Sequence, residues 1–255
     1  MARMTNKKRA QQNKQLWDKA NSSHRQRWQV LSQKGFDFYL NEQLTKEELS
    51  ALDEAGMPTF TINRVTPIIE IMKYFVTANN PRWKAVGVTG DDVDVAQVHS
   101  DIADYCWYNS NGKSIYSQVV LDSLTKGIGY FMVDVDKDAD KGMGEVVFKR
   151  IDPYDVYVDP ASRDFLFRDA NFISVRKNVS KTQLMNLFPE FANKMKKVSG
   201  GADSTNYSQR PSTDVQSIQP EDITMGITIE GEDEDIIPYY ETYSKKKHAY
   251  RNVFI

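Results

Sequence analysis

Residues 128–160, IGYFMVDVDKDADKGMGEVVFKRIDPYDVYVDP, decide how the rest of the chain is read. Residues 128–135 and 145–151 are two runs rich in aliphatic and aromatic β-formers. Between them Asp134, Asp136, Asp138 and Asp140 stand at every second position, and Gly142 and Gly144 close the segment. Two apolar runs around an Asp/Gly-rich turn predict a β-hairpin. The sequence before it reads as helix and the sequence after it mostly as strand. The expected fold class is α+β, a helical N-terminal half followed by an antiparallel β-rich part.

Upstream, residues 114–126 predict a helix with Ile115, Val119 and Leu124 near one face and Gly127 closing it. Residues 91–108 predict another, acidic where the helix dipole favours Asp91, Asp92 and Asp94. Its expected buried stripe is Val95, Val98, Ile102, Tyr105 and Cys106, with His99 at the edge, where a lone histidine reads as structural. Residues 83–88 read as a short strand. In TFTINRVTPIIEIMKYFVTANNPRW (59–83), Asn63 is the expected N-cap and Pro67 falls early enough to be tolerated. Ile68, Ile71, Met72, Phe75 and Val76 recur at helical spacing, so this helix is expected to be the best-formed core helix. Thr45 and Glu48 form a capping box for a short helix stopped by Gly56. Residues 5–40 are rich in helix formers, with a thin apolar stripe, and are expected to lean on a neighbouring chain or stay mobile.

Downstream, IDPYDVYVDP gives a turn, a short strand and a stop, and 172–177 another strand. Ser180 and Gln183 form a second capping box, with Pro189 interrupting the helix that follows. Residues 200–222 are polar with few apolar residues. Residues 223–229 and 236–243 read as strands around an acidic patch, and 250–255 as the start of another. The apolar ending Val253-Phe254-Ile255 suggests a portion of a longer protein. The expected organisation is a basic helical arm (1–42), an α+β domain (43–198), a polar linker or long loop (199–222) and a β-rich segment (223–255), apparently truncated.

Composition bounds the function. The 255 residues carry a net charge of −2, but eight basic residues among the first thirty face Asp18 alone. These are Arg3, Lys7, Lys8, Arg9, Lys14, Lys19, Arg25 and Arg27, candidates for contact with an anionic partner, the phosphates of DNA or an acidic protein surface, with Trp17 and Trp28 available to stack. No apolar run approaches the length of a membrane span. One cysteine and three histidines leave no Cys/His zinc site, and the lone cysteine favours an intracellular place of synthesis.

The acidic turn is the strongest local motif for chemistry. With Asp134 at position 1 of a calcium loop, Asp136 and Asp138 fill positions 3 and 5, Asp140 position 7 and Glu145 position 12. Ala139 stands where the sharp turn calls for glycine, and the flanks read as strands, which favours a solvated hairpin over a Ca2+ site. Asp134, Asp136, Asp138 and Glu145 are the metal candidates, and no other cofactor is expected. A magnesium-dependent nuclease would want a Glu-x-Lys pair; here Lys149 lies four residues after Glu145. Gly127-Ile-Gly129 precedes a strand, whereas a phosphate loop follows one. No catalytic residue is expected and the chain does not read as an enzyme.

Taken in order, these elements resemble the N-terminal half of portal proteins of tailed bacteriophages, of the podovirus P22-like type that includes crAss-like phages. The resemblance covers about residues 55–185. It rests on Asn63-Arg64 and Asn80-Pro81, then the Gly-x-Gly strand, Arg150, Asp152-Pro153, Val156, Asp159-Pro160 and Asp169-Ala170. It implies an α+β wing-like domain in a structural subunit of a dodecameric ring at the unique capsid vertex of the virion. That ring would be the conduit for genomic double-stranded DNA in packaging and ejection. Implied partners are other copies of the chain, the major capsid protein, tail adaptor proteins and terminase, with no membrane, after synthesis in the cytoplasm of the host bacterium. The stem, clip and crown of such proteins would lie beyond Ile255. A calcium-binding structural module and a metal-dependent nuclease are the alternatives.

Overall fold

The computed structural model describes residues 6–137, 139–195, 236–245 and 252–254. Its order is helices, then strands, as the α+β reading expects. The linker at 199–222, the strand at 223–229 and the acidic patch lie outside the described residues. The chain divides into two compact units, one holding 1–28 with 154–255 and the other 29–153.

The second unit is built around α6 (Gly112–Lys126). Val119, Val120, Leu121, Asp122, Thr125 and Lys126 are all buried, so α6 is covered on several sides and has no solvent stripe for a periodicity to report. Gly127 ends it in the left-handed region, φ 83°, where a side chain would be strained. Two residues on, a Cβ at Gly129 would meet the Val119 carbonyl oxygen at 2.3 Å, so only glycine lets the following strand start flush against α6. Those are the two glycines of the Gly-Ile-Gly motif.

That strand, β1 (Tyr130–Asp136), pairs antiparallel with β2 (Glu145–Ile151) from Tyr130↔Ile151 to Asp136↔Glu145, the expected hairpin. Register puts Phe131, Val133 and Val135 on one face with Arg150, Phe148 and Val146. Phe148 stacks on Trp83 (5.4 Å) and meets Trp107 edge-on (5.4 Å), whereas Phe131, Val133 and Val135 stay exposed.

Residues 83–88 form no strand: Trp83 is held by those rings, the Ala85 N–H donates to Ser100 Oγ, and among the described residues no strand pairs with them. The capping box at Thr45 and Glu48 is formed and starts α3 (Lys46–Glu54). The expected buried stripes differ more. In α4 (Val65–Thr77) Ile68, Ile71 and Phe75 are 58%, 57% and 71% exposed, and Met72 and Val76 are exposed as well. In α5 (Val93–Asn109) only Cys106 of the expected stripe is buried; Val95, Val98, Ile102 and Tyr105 face outward, as does His99. Both helices turn the apolar stripe that their spacing marks for burial outward.

In the first unit, residues expected as one long helix form α1 (Asn6–Ala20) and the start of α2 (Ser23–Leu40), which continues into the second unit. A sheet of order β3-β4-β5-β6, all antiparallel, comprises Val156–Val158, Phe172–Ser180, Ile236–Ser244 and Asn252–Phe254. Ala20, Tyr157 and Phe172 form its core with Leu16 and Trp17 of α1. Ser174 and Thr242, opposed across β4 and β5, share a buried hydroxyl pair at 3.0 Å. Short helices α7 (Lys181–Leu187) and α8 (Ala192–Met195) follow β4, and Ser180 caps the first of them.

Candidate functional site

Asp122 and Lys126 lie one turn apart on α6 and are almost fully buried. An isolated charge there would cost far more than the fold could offset, so each must be paired. Lys126 Nζ lies 3.0 Å from Asp122 Oδ1 and 3.2 Å from Asp152 Oδ2. Arg150, at the end of β2, donates Nε to Asp122 Oδ2 (2.5 Å) and Nη2 to Asp122 Oδ1 (2.8 Å). Two cations and two carboxylates close a neutral cluster. Phe36 of α2 lies under the Lys126 ammonium, and Ser32 Oγ donates to the Lys126 carbonyl at 3.0 Å. With both carboxylates engaged and the charge balanced, the cluster is a fastener binding the Arg-Ile-Asp-Pro segment to α6.

The other motif residues fasten too. The Asp159 side chain is fully buried and accepts from Lys19 Nζ (3.0 Å), Asn171 Nδ2 (2.8 Å) and the Ala161 N–H (3.2 Å). Burial pushes its pKa up, but the Asn171, Lys19 and Ala161 donors outweigh that and hold it below the usual value. Asp169 gathers the Arg163 N–H (2.7 Å), the Ser162 hydroxyl and the Asp164 N–H, which together lower its pKa to about 2. Asn63 Oδ1 accepts from the N–H groups of Val65 (3.1 Å) and Thr66 (3.0 Å), so it braces the first turn of α4 from one residue before the N-cap position, which is Arg64 and not Asn63, while its Nδ2 donates to the Tyr39 carbonyl (3.1 Å). The Thr66 hydroxyl reaches the same carbonyl, and the Tyr39 hydroxyl donates to Glu70 at 2.7 Å. Burial, then the bond to Glu70, raises the Tyr39 pKa to about 12. These ties hold the polar side of α4 to α2 and leave Ile68, Ile71, Met72 and Phe75 outward.

In the acidic turn, Lys149 Nζ sits 3.1 Å from Asp134 Oδ2 and Tyr105 donates to Glu145 at 2.9 Å. Asp136 stands opposite Glu145 in the ladder, and Asp138 lies outside the described residues. Among the described residues no group of three or more His, Cys, Asp or Glu side chains is placed to hold a metal ion.

The basic arm splits. Lys19 is spent on Asp159, and Arg25 stacks over Trp28 (4.3 Å) and Tyr157 (5.0 Å). Trp17 packs on Tyr157 and Tyr240, and Trp28 on Tyr154, within the chain's own first unit. Arg9 is half-buried, Lys7, Lys8, Lys14 and Arg27 are exposed, and Arg3 lies outside the described residues.

Asp122 and Lys126 are the site residues that sequence reasoning missed. Their signal was available: between Lys113 and Lys126 the only charged residue is Asp122, one turn before Lys126. No helix among the described residues is long and apolar enough to cross a membrane.

Comparison with known proteins places the chain in a family. Residues 15–253 match the family model described as Phage P22-like portal protein. No curated protein matches the chain.

Proposed function

The chain belongs to the phage P22-like portal protein family, and from that premise we propose that it is a structural subunit of the ring at the unique capsid vertex. Family membership carries a structural role at the phage portal and an oligomeric, capsid-associated setting. In the proposed reading, copies of the chain close into a dodecameric ring that conducts DNA during packaging and ejection. The same ring docks terminase, the tail adaptor and the major capsid protein, and residues 43–198 contribute a wing-like domain to it.

The observation that supports the reading is the outward apolar surface of the second unit. Ile68, Ile71, Met72 and Phe75 on α4, and Val95, Val98 and Ile102 on α5, are each about half exposed or more. Phe131, Val133 and Val135 add an uncovered strand face. Soluble monomers rarely leave large apolar surfaces uncovered. Head-to-tail packing between neighbouring copies in a ring that closes would bury them without generating open-ended fibres.

Electron microscopy of the full-length protein tests this. Closed rings with twelvefold symmetry are expected. Particles that remain monomeric at every concentration, or that form open filaments only, would overturn the proposal.

A further inference from the structure

α1 has two faces of different chemistry. At 3.6 residues per turn, Arg9, Asn13, Leu16, Trp17 and Ala20 share the side that meets the sheet, and each is buried or half-buried. The opposite side carries Lys7, Lys8, Gln11, Gln12, Lys14 and Gln15, all exposed. Among the described residues no carboxylate pairs with Lys7, Lys8 or Lys14, and Asp18, at the C-terminal end, is the only acidic residue of the helix. The helix is fixed beneath them by Leu16 and Trp17 and by the 3.0 Å Lys19–Asp159 pair. These lysines therefore project from a packed helix.

We propose that this outer face of α1 is a sequence-independent contact for the backbone of double-stranded nucleic acid. A protein partner is disfavoured by what the face lacks. Protein interfaces are anchored by aromatic and aliphatic side chains and are depleted in lysine, and from Lys7 to Gln15 no apolar side chain larger than Ala10 interrupts the Lys/Gln surface, which ends where the exposed Asp18 falls on the same side, one turn past Lys14. A phosphate backbone needs no apolar anchor. Lysine neutralises phosphates and glutamine amides donate to their oxygens. Lys7 and Lys14, seven residues apart, are separated by about 10 Å along the helix, a span over which duplex DNA presents about six phosphates. No base-reading geometry accompanies them, so the contact discriminates by charge and not by sequence. Ring closure is not required for it.

The test is binding of the full chain to a labelled mixed-sequence DNA duplex of about 30 base pairs, over about 50 to 200 mM salt. It is done below the concentration at which the protein self-associates. Replacing Lys7, Lys8 and Lys14 together by Gln keeps helix propensity and removes three phosphate contacts. The slope of log affinity against log salt should become shallower by about 2 to 3, with affinity near 0.1 M salt falling tenfold or more. The matching Lys→Arg triple variant should retain the slope, and circular dichroism should be unchanged in both. An unaltered slope in the Gln variant, or no wild-type binding at about 50 mM salt, would overturn the proposal. So would a Gln variant that keeps its DNA affinity but loses self-association, which would assign the face to an acidic surface on a second copy such as α5, where Asp94, Asp101 and Asp104 are exposed.

Discussion

Arg150 grips Asp122 at two points, Nε to Oδ2 at 2.5 Å and Nη2 to Oδ1 at 2.8 Å, and the carboxylate they share is wholly removed from solvent. This contact fixes where β2 leaves the hairpin, because Asp152, two residues on, reaches Lys126 of the same α6 turn.

Removing Asp122 strands two cations. Lys126 is buried and Arg150 nearly so, and Asp152 alone cannot satisfy both. Asp122→Ala should cost about 3–5 kcal/mol in urea unfolding, because it leaves uncompensated buried charge. Asp152→Ala should cost less, since its carboxylate is 21% exposed and Lys126 keeps Asp122. Equal costs for the two variants would show that the cluster is not organised around Asp122.

Gly129→Ala tests the close approach of the hairpin to α6. The new methyl would meet backbone at 2.3 Å, so the strand must shift and not merely a side chain. The expected loss is about 1–3 kcal/mol, as for other overpacked sites. Gly127→Ala, which forces alanine into the left-handed region, should cost about 1 kcal/mol. Thermal or urea unfolding of both variants checks the ranking.

Asp169 gives a pH prediction with a definite sign. The Arg163 N–H, the Ser162 hydroxyl and the Asp164 N–H lower its pKa from 3.8 to about 2. A carboxyl depressed in the folded state contributes stability above its unfolded pKa and loses it as pH falls through the folded value. Its contribution is therefore intact above about pH 4 and disappears towards pH 2. Asp169→Asn should flatten that portion of the acid unfolding profile while changing its behaviour at neutral pH in the 162–169 loop only. An unchanged acid profile would mean that the loop carboxylate is not held as described.

The parts of the fold that were legible in the sequence are those where one local signal has one structural meaning. The hairpin followed from its Asp/Gly turn, the start of α3 from Thr45 and Glu48, and the end of α6 from Gly127. Periodicity failed where it was asked which way a face points. Ile68, Ile71, Met72 and Phe75 do form a stripe, but polar ties from Asn63, Thr66 and Glu70 to Tyr39 bind the other side of α4 to α2. A sequence pattern gives the stripe and not its partner. α6 went underestimated for the opposite reason: a helix packed on several sides has no single face, and its core contains a buried Asp and Lys that composition counts as surface. The ring cluster of Trp83, Trp107 and Phe148 holds residues 83–88 where a strand was expected, a long-range contact with no local signature. The family motif was readable before its purpose was. Arg150, Asp152, Asp159 and Asp169 mark the family in the sequence, and in the fold each is tied down by partners of its own chain.

The most direct measurement compares electron micrographs of the wild-type protein with those of an Ile71→Glu/Phe75→Glu variant. Both side chains are exposed in the single chain, at 57% and 71%, so monomer folding should survive and circular dichroism should match. If α4 is buried between copies in a closed ring, each ring closure would desolvate the two glutamates at every interface. Rings should then be abundant for the wild type and absent for the variant. A variant that forms the same rings in the same yield would contradict the account.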